Sequence, residues 1–189
     1  MKYSKEQLLR IFSESEHLLK EYHLPEWDEL PTLPLYMDQV VILLSEYLAI
    51  FAAVSSDDRF ITPTMVNNYV KMKIIPAPIK KKYSKMHLAY LIIVCILKQT
   101  LSISIISKII PADMTEEELK AVYASFVKNH AKAFSFVTEQ IQSVAQPLLS
   151  EPDDDRSNDL VMQVAVSANI FKLITGWIAD RSEQQKTEK

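Results

Sequence analysis

Residues 59–112 read RFITPTMVNNYVKMKIIPAPIKKKYSKMHLAYLIIVCILKQTLSISIISKIIPA and contain neither Asp nor Glu. They carry nine positive charges: Arg59, Lys71, Lys73, Lys80, Lys81, Lys82, Lys85, Lys98 and Lys108. The chain of 189 residues has 21 Lys and Arg against 24 Asp and Glu, so the remainder holds 12 basic residues against 24 acidic ones. The formal net charge of −3 conceals this division. A basic segment on an otherwise acidic chain points to a polyanion as partner. A lone basic run is as often a merely solvated face; the absence of any acid across the segment, and the patterns within it, favour binding.

Thr62 is placed as an N-cap and Pro63 as the first helical residue, so a short helix is expected from there to about Met72. Met65, Val66, Tyr69, Val70 and Met72 supply its apolar side. Thr64, Asn67, Asn68 and Lys71, spaced i, i+3, i+4 and i+7, share the other. Such a face suits a nucleic-acid groove, because Asn pairs with adenine, Thr meets the thymine methyl, and Lys reaches guanine or phosphate. Pro76 and Pro78 stop the helix and hold the chain extended. Lys80, Lys81 and Lys82 follow on an exposed ribbon or loop that Tyr83 ends, a basic wing suited to phosphates. Ser84 caps the next helix, 85–99, which is apolar almost all round and therefore central to the core. His87 in its first turn reads as a cap or a surface contact. Ser102 caps a further short helix that Pro111 ends.

Upstream, residues 4–22 form an amphipathic helix with a capping box from Ser4 and Gln7. His17 and His23 read as surface or interface residues rather than metal ligands, because no second ligand lies at metal spacing. Residues 24–36, with Pro25, Pro31 and Pro34, are an extended connector pinned by Trp27. Residues 37–53 form a second, largely buried helix, and 54–61 a turn. Downstream, Thr115 and the three glutamates after it start a helix expected to reach about Ala145 and to be closed by Pro147. Its apolar stripe is Leu119, Val122, Phe126, Ala133, Phe134, Val137, Ile141 and Val144. An acidic linker, EPDDDRSND, lacks the central Gly and closing Glu of a calcium loop. A last helix, about 159–180, carries Phe171 and Trp177.

Composition bounds the chemistry. One glycine argues against extensive β structure, a phosphate loop and a dinucleotide fingerprint. The single cysteine, Cys95, excludes an intrachain disulfide and a Cys-rich metal site, and its apolar setting makes it a core residue. No nucleophile elbow, HExxH or Cys–His set is present, so no catalytic residue, metal or cofactor is expected and the chain does not read as an enzyme. The N-terminus lacks the apolar core of a signal peptide, and the longest apolar run, between Lys85 and Lys98, is too short for a bilayer. A soluble cytoplasmic protein that does not enter a membrane is the expectation.

The order helix, turn, short polar helix, Pro-rich basic wing, long helix, short helix resembles the MerR-type winged helix-turn-helix. MVNNYVKMKIIPAP looks like that family's recognition helix and exit, and KKYSKMHLAYLIIVCILKQTLSISIISKII like its wing exit. With LPLYMDQVVILLSEYL upstream, the pattern is similar to the bacterial domain-of-unknown-function family numbered eighteen thirty-six. The turn before the polar helix is longer than in MerR members and lacks their glycine; Asn68 stands where an Arg usually precedes the aromatic; and a helix pair replaces the single long coiled-coil helix. The resemblance implies an all-α fold with at most a small β wing. Its parts would be an N-terminal helix and connector (1–33), a winged helix-turn-helix (34–112), a C-terminal helical pair (113–181) and a disordered tail (182–189). It implies that Tyr83 anchors the base of the wing and Lys85 lies near phosphate. The DNA-binding set is then Arg59, Thr62, Thr64, Asn67, Asn68, Lys71, Lys73, Lys80, Lys81, Lys82, Tyr83 and Lys85.

Two functions follow. The first is a transcriptional regulator of double-stranded DNA acting as a homodimer through Leu119, Val122, Phe126, Phe134, Val137, Ile141, Phe171 and Trp177. A small-molecule effector between the outer helices is compatible with it. The second is a helical adaptor that keeps the winged shape without reading DNA; it would be recognised by stoichiometric protein capture with no retention of DNA at low salt.

Overall fold

The computed structural model describes residues 5–52, 60–150 and 157–187. Its helices are α1 (Lys5–Glu21), α2 (Met37–Tyr47), α3 (Ala49–Ala52), α4 (Pro63–Lys71), α5 (Lys85–Leu97), α6 (Ile103–Ile109), α7 (Glu116–Ser150) and α8 (Ser157–Thr187), with one 3-10 turn at Trp27–Glu29. The fold is all-α. Its extended pairing, among the described residues, is limited to two isolated antiparallel bridges, Leu35 with Tyr83 and Ile79 with Lys82.

α5 is the centre. Residues 87–95 are all buried, and those from Leu88 to Val94 have no exposed surface at all. A helix apolar on every side must be enclosed, and each fully buried Leu or Ile contributes about 1.5–3 kcal/mol of transfer free energy. α2 packs against both α5 and α4. Cys95 is buried as expected, and burial pushes its thiol up to about 12. Tyr90, also buried in α5, donates from its hydroxyl to the Pro111 carbonyl at 2.8 Å.

The chain divides into two compact units, one of His23–His130 and one of Met1–Tyr22 with Ala131–Lys189. The first takes in the proline connector and the beginning of α7. Tyr123 explains why: its buried hydroxyl donates to the Pro25 carbonyl at 2.8 Å, and its ring meets Trp27 edge to face at 6.0 Å. Trp27 therefore pins the connector, as expected. Within the second unit Tyr22 and Phe134 pack at 5.4 Å between ring centres, joining α1 to α7.

Several boundaries differ from expectation. The helix expected over 37–53 breaks at Leu48, which is fully buried at φ −110° and ψ 17°. α7 does not stop at Pro147 but continues to Ser150. A proline inside a helix removes one hydrogen bond without forbidding the turns on either side. Residues 182–187, expected as a disordered tail, belong to α8. Ser4, most of the 54–61 turn and most of the acidic linker lie outside the described residues.

α8 is the other surprise. Its segment Asn158–Ala179 contains an 18-residue stretch with a mean hydropathy of 1.4 and is, among the described residues, the helix long and apolar enough to cross a membrane by length and composition. Single polar residues (Gln163, Ser167, Asn169 and Lys172) interrupt it, so a search for an unbroken apolar run passes over it. Leu160, Val164, Ser167, Phe171, Ile174 and Ile178 alternate in steps of four and three, one stripe along the helix. Val166, Ile170, Leu173 and Trp177 make a second beside it. Leu160 is buried, whereas the apolar members beyond it are 38–68% exposed.

Candidate nucleic-acid interface

α4 begins as the sequence implies. Thr62 is in extended backbone, its Oγ1 accepts from the Met65 N–H at 3.2 Å, and Pro63 occupies the first helical position. Val66 and Tyr69 are buried on the inner side. Thr64, Asn67, Asn68 and Lys71 are all exposed on the other, so the expected polar face exists and is open. Burial pushes the Tyr69 hydroxyl up to about 12, which keeps it neutral in the core.

The helix ends in a Schellman motif. The Ile74 N–H donates to the Tyr69 carbonyl at 2.9 Å and the Lys73 N–H to the Val70 carbonyl at 3.0 Å. The residue between cap and exit is Lys73 at φ +55°, a position where glycine is usual. Ile74 and Ile75 are buried and anchor the exit.

After Pro76 and Pro78 the chain reverses over residues 79–82. Ile79 and Lys82 exchange both backbone hydrogen bonds, at 3.1 and 2.9 Å. Lys80 and Lys81 stand between them at φ +51° and +63°. Positive φ at both central residues is the signature of a type I′ hairpin turn, which normally selects Asn-Gly or a glycine pair. Here lysines take both places and both side chains are exposed. The stretch expected as an exposed ribbon or loop is thus a two-residue hairpin with an ammonium group at each apex residue.

Its base is fixed from two sides. Tyr83 is buried and exchanges two 2.8 Å backbone hydrogen bonds with Leu35. Its ring meets His87 edge to face at 5.5 Å. His87 Nδ1 lies 3.0 Å from the Ser84 backbone nitrogen and 2.8 Å from the Ser84 hydroxyl, while Nε2 lies 3.3 Å from the Ala77 carbonyl. Nδ1 accepts from the Ser84 amide, which leaves the proton on Nε2 to donate to Ala77. His87 is therefore a cap, and a buried one rather than a surface contact. Burial lowers its pKa, partly opposed by the bond to Ala77.

The remaining basic residues divide. Lys71 and Lys73 are exposed at the end of α4. Lys82 is exposed too and leans over the Tyr36 ring, 5.1 Å from its centroid. Lys85 is mostly covered: its Nζ sits 5.5 Å from the Trp27 ring centroid and 4.0 Å from Asp28. It braces the connector instead of facing solvent. Lys120 lies 3.6 Å from the same carboxylate. Thr62 is half-buried with its hydroxyl oxygen accepting the cap bond, and Tyr83 is enclosed and offers no contact surface. Arg59 lies outside the described residues. The exposed set is Thr64, Asn67, Asn68, Lys71 and Lys73 on one short helix and its exit, and Lys80, Lys81 and Lys82 on one turn. Sequence reasoning missed Tyr36 and the buried bracing role of His87, because nothing in local spacing ties them to the turn.

Of the residues expected at a dimer surface, Leu119 has no exposed surface and serves the core. Val122, Phe126 and Phe134 are half-buried, Phe126 against His130 and Phe134 against Tyr22. Val137, Phe171 and Trp177 are exposed, and the Ile141 side chain lies outside what is described. Among the described residues no three His, Cys, Asp or Glu side chains gather as a metal site.

No curated protein and no solved structure matches the chain. A family model described as Domain of unknown function (DUF1836) matches residues 25–126, within the unit that carries α4, the hairpin and α5. The match spans more than half of the sequence, and the chain belongs to the DUF1836 family.

Proposed function

We propose that the chain is a DNA-binding transcriptional regulator that lays α4 into the major groove of double-stranded DNA and sets the 79–82 turn on the phosphate backbone. The turn supports this most: three successive lysines, two held at left-handed φ, inside a segment without one acidic residue. The open face of Thr64, Asn67, Asn68 and Lys71 matches the donors and acceptors of base edges. The succession of capped polar helix, proline-stiffened basic hairpin and long core helix fits a MerR-type winged helix-turn-helix. Phosphate contacts would come from Lys73, Lys80, Lys81 and Lys82, with Thr62, Tyr83 and Lys85 supporting them structurally.

Fluorescence anisotropy with random-sequence duplex DNA across a salt series tests the proposal. Binding should weaken steeply with salt, and Ala at Lys80, Lys81 and Lys82 should flatten the logarithmic slope by about 0.9 per lysine. Ala at Asn67 or Asn68 should instead erode discrimination between selected and random sites, by about 1–3 kcal/mol per lost bidentate pair. No binding at low salt, or unchanged selectivity in both Asn variants, would sink the assignment.

A further inference from the structure

The apolar surface of α8 is far larger than its own unit covers. Beyond Leu160, no residue of α8 is buried as far as Ala179. Phe171, Ile174 and Ile178 of one stripe are 42–68% exposed, and Ile170, Leu173 and Trp177 of the other 50–65%. Water does not accommodate such a face on an isolated soluble helix, and contiguous patches beyond a few hundred Å² mark an interaction site. We infer that α8 is the surface on which two copies of this chain assemble, each burying both stripes against the other in a helical bundle.

Three observations select a second copy as the occupant. The first is size. From their fractional exposures, the apolar side chains of the two stripes offer on the order of 800 Å², comparable to the ~800 Å² per partner of a stable standard interface. The second is spacing. Steps of four and three repeat over the helix, which is the knobs-into-holes register that identical helices share. A two-fold interface is self-complementary, and both stripes are uncharged, so two copies meet without like-charge repulsion. The third is the opposite side of the helix. Ala165, Ala168, Asn169, Lys172 and Gly176 fall there, joined by Val161 near the helix start, a mostly small and polar flank with a charge near the middle. A bilayer would have to enclose that flank, whereas a bundle in water leaves it wet. The inference goes beyond DNA recognition and does not depend on it.

Sedimentation equilibrium of the full chain without detergent tests it, with Leu173→Glu and Ile174→Glu placing one charge in each stripe. Both positions are exposed in the single chain, so the helical circular dichroism signal should persist. The wild type should run at twice the 21.7 kDa chain mass at micromolar concentration. Either variant should raise the dissociation constant at least about 100-fold, and Lys172→Glu, on the polar flank, should leave it unchanged. A second readout guards against a misfolded variant: the wild-type melting temperature should rise with protein concentration. A monomeric wild type with a concentration-independent melt overturns the inference. So does a dimer that survives both stripe substitutions, or a wild type that stays monomeric in buffer and floats with phosphatidylcholine–phosphatidylglycerol vesicles.

Discussion

A lysine at left-handed φ gives up about 1 kcal/mol that glycine would not. Lys73, Lys80 and Lys81 do so within nine residues, and among the described residues they are the non-glycine positions with positive φ. Lysine has no side-chain acceptor with which to offset the strain locally, as Asn or Asp does. Local strain of this kind concentrates where function over-determines the backbone. The double substitution Lys80→Asn, Lys81→Gly installs the residues that a type I′ turn prefers. It should raise the stability to urea by about 1–2 kcal/mol while lowering the salt slope of DNA binding by about 2. Ala at both positions removes the charge without relieving φ, and should weaken binding with no gain in stability. The two variants together separate the strain from the charge. The sequence shows three lysines in a row after two prolines, which is enough to expect an exposed basic wing. It does not show the turn type, because the usual signal is a glycine or asparagine and the chain's single glycine is Gly176 in α8.

At the scale of elements, caps were legible and long-range braces were not. Thr62 with Met65, Ser102 with Ile105, and Thr115 with Glu118 each form the expected hydrogen bond three residues along. Their partners are neighbours in sequence, so the local pattern contains the whole interaction. Lys82 on Tyr36, Lys85 on Trp27 and Tyr123 on Pro25 join distant segments, and spacing carries no trace of them. His87 shows both kinds of link at once: it caps α5 through Ser84 and holds the approach to the hairpin through Ala77. A protonated ring cannot accept from the Ser84 amide. Its folded pKa is lowered by burial, so as pH falls below about 6.5 the unfolded chain takes up the proton first. Stability is therefore full above that pH, falls by at most about 1.4 kcal/mol per pH unit, and levels once the folded ring also protonates. His87→Gln keeps an acceptor at the cap and removes the titration. Urea midpoints between pH 7 and pH 5 should fall less in that variant than in the wild type. The residual fall would belong to His130, whose pKa burial also lowers.

Over the whole molecule, the expected all-α architecture and central α5 emerged from apolar periodicity and the scarcity of glycine. The proline connector is pinned by Trp27, as its sequence suggests, but the Tyr123 hydroxyl and ring that complete the brace come from a segment about a hundred residues away and leave no local pattern. α8 was underestimated for a different reason: its apolar residues are distributed around polar ones, and only the exposure of the folded helix shows how much surface is left. The burial of Cys95 has a practical corollary. As the chain's single cysteine, enclosed in α5 with its thiol pushed up to about 12, it is shielded from alkylating reagents until the core opens. Maleimide labelling of the native protein thus works as a built-in clock that ticks only on core opening. If duplex DNA binds the folded state alone, added duplex should slow that clock by a factor of one plus the ratio of free duplex concentration to Kd, with no tag introduced anywhere near the lysine turn.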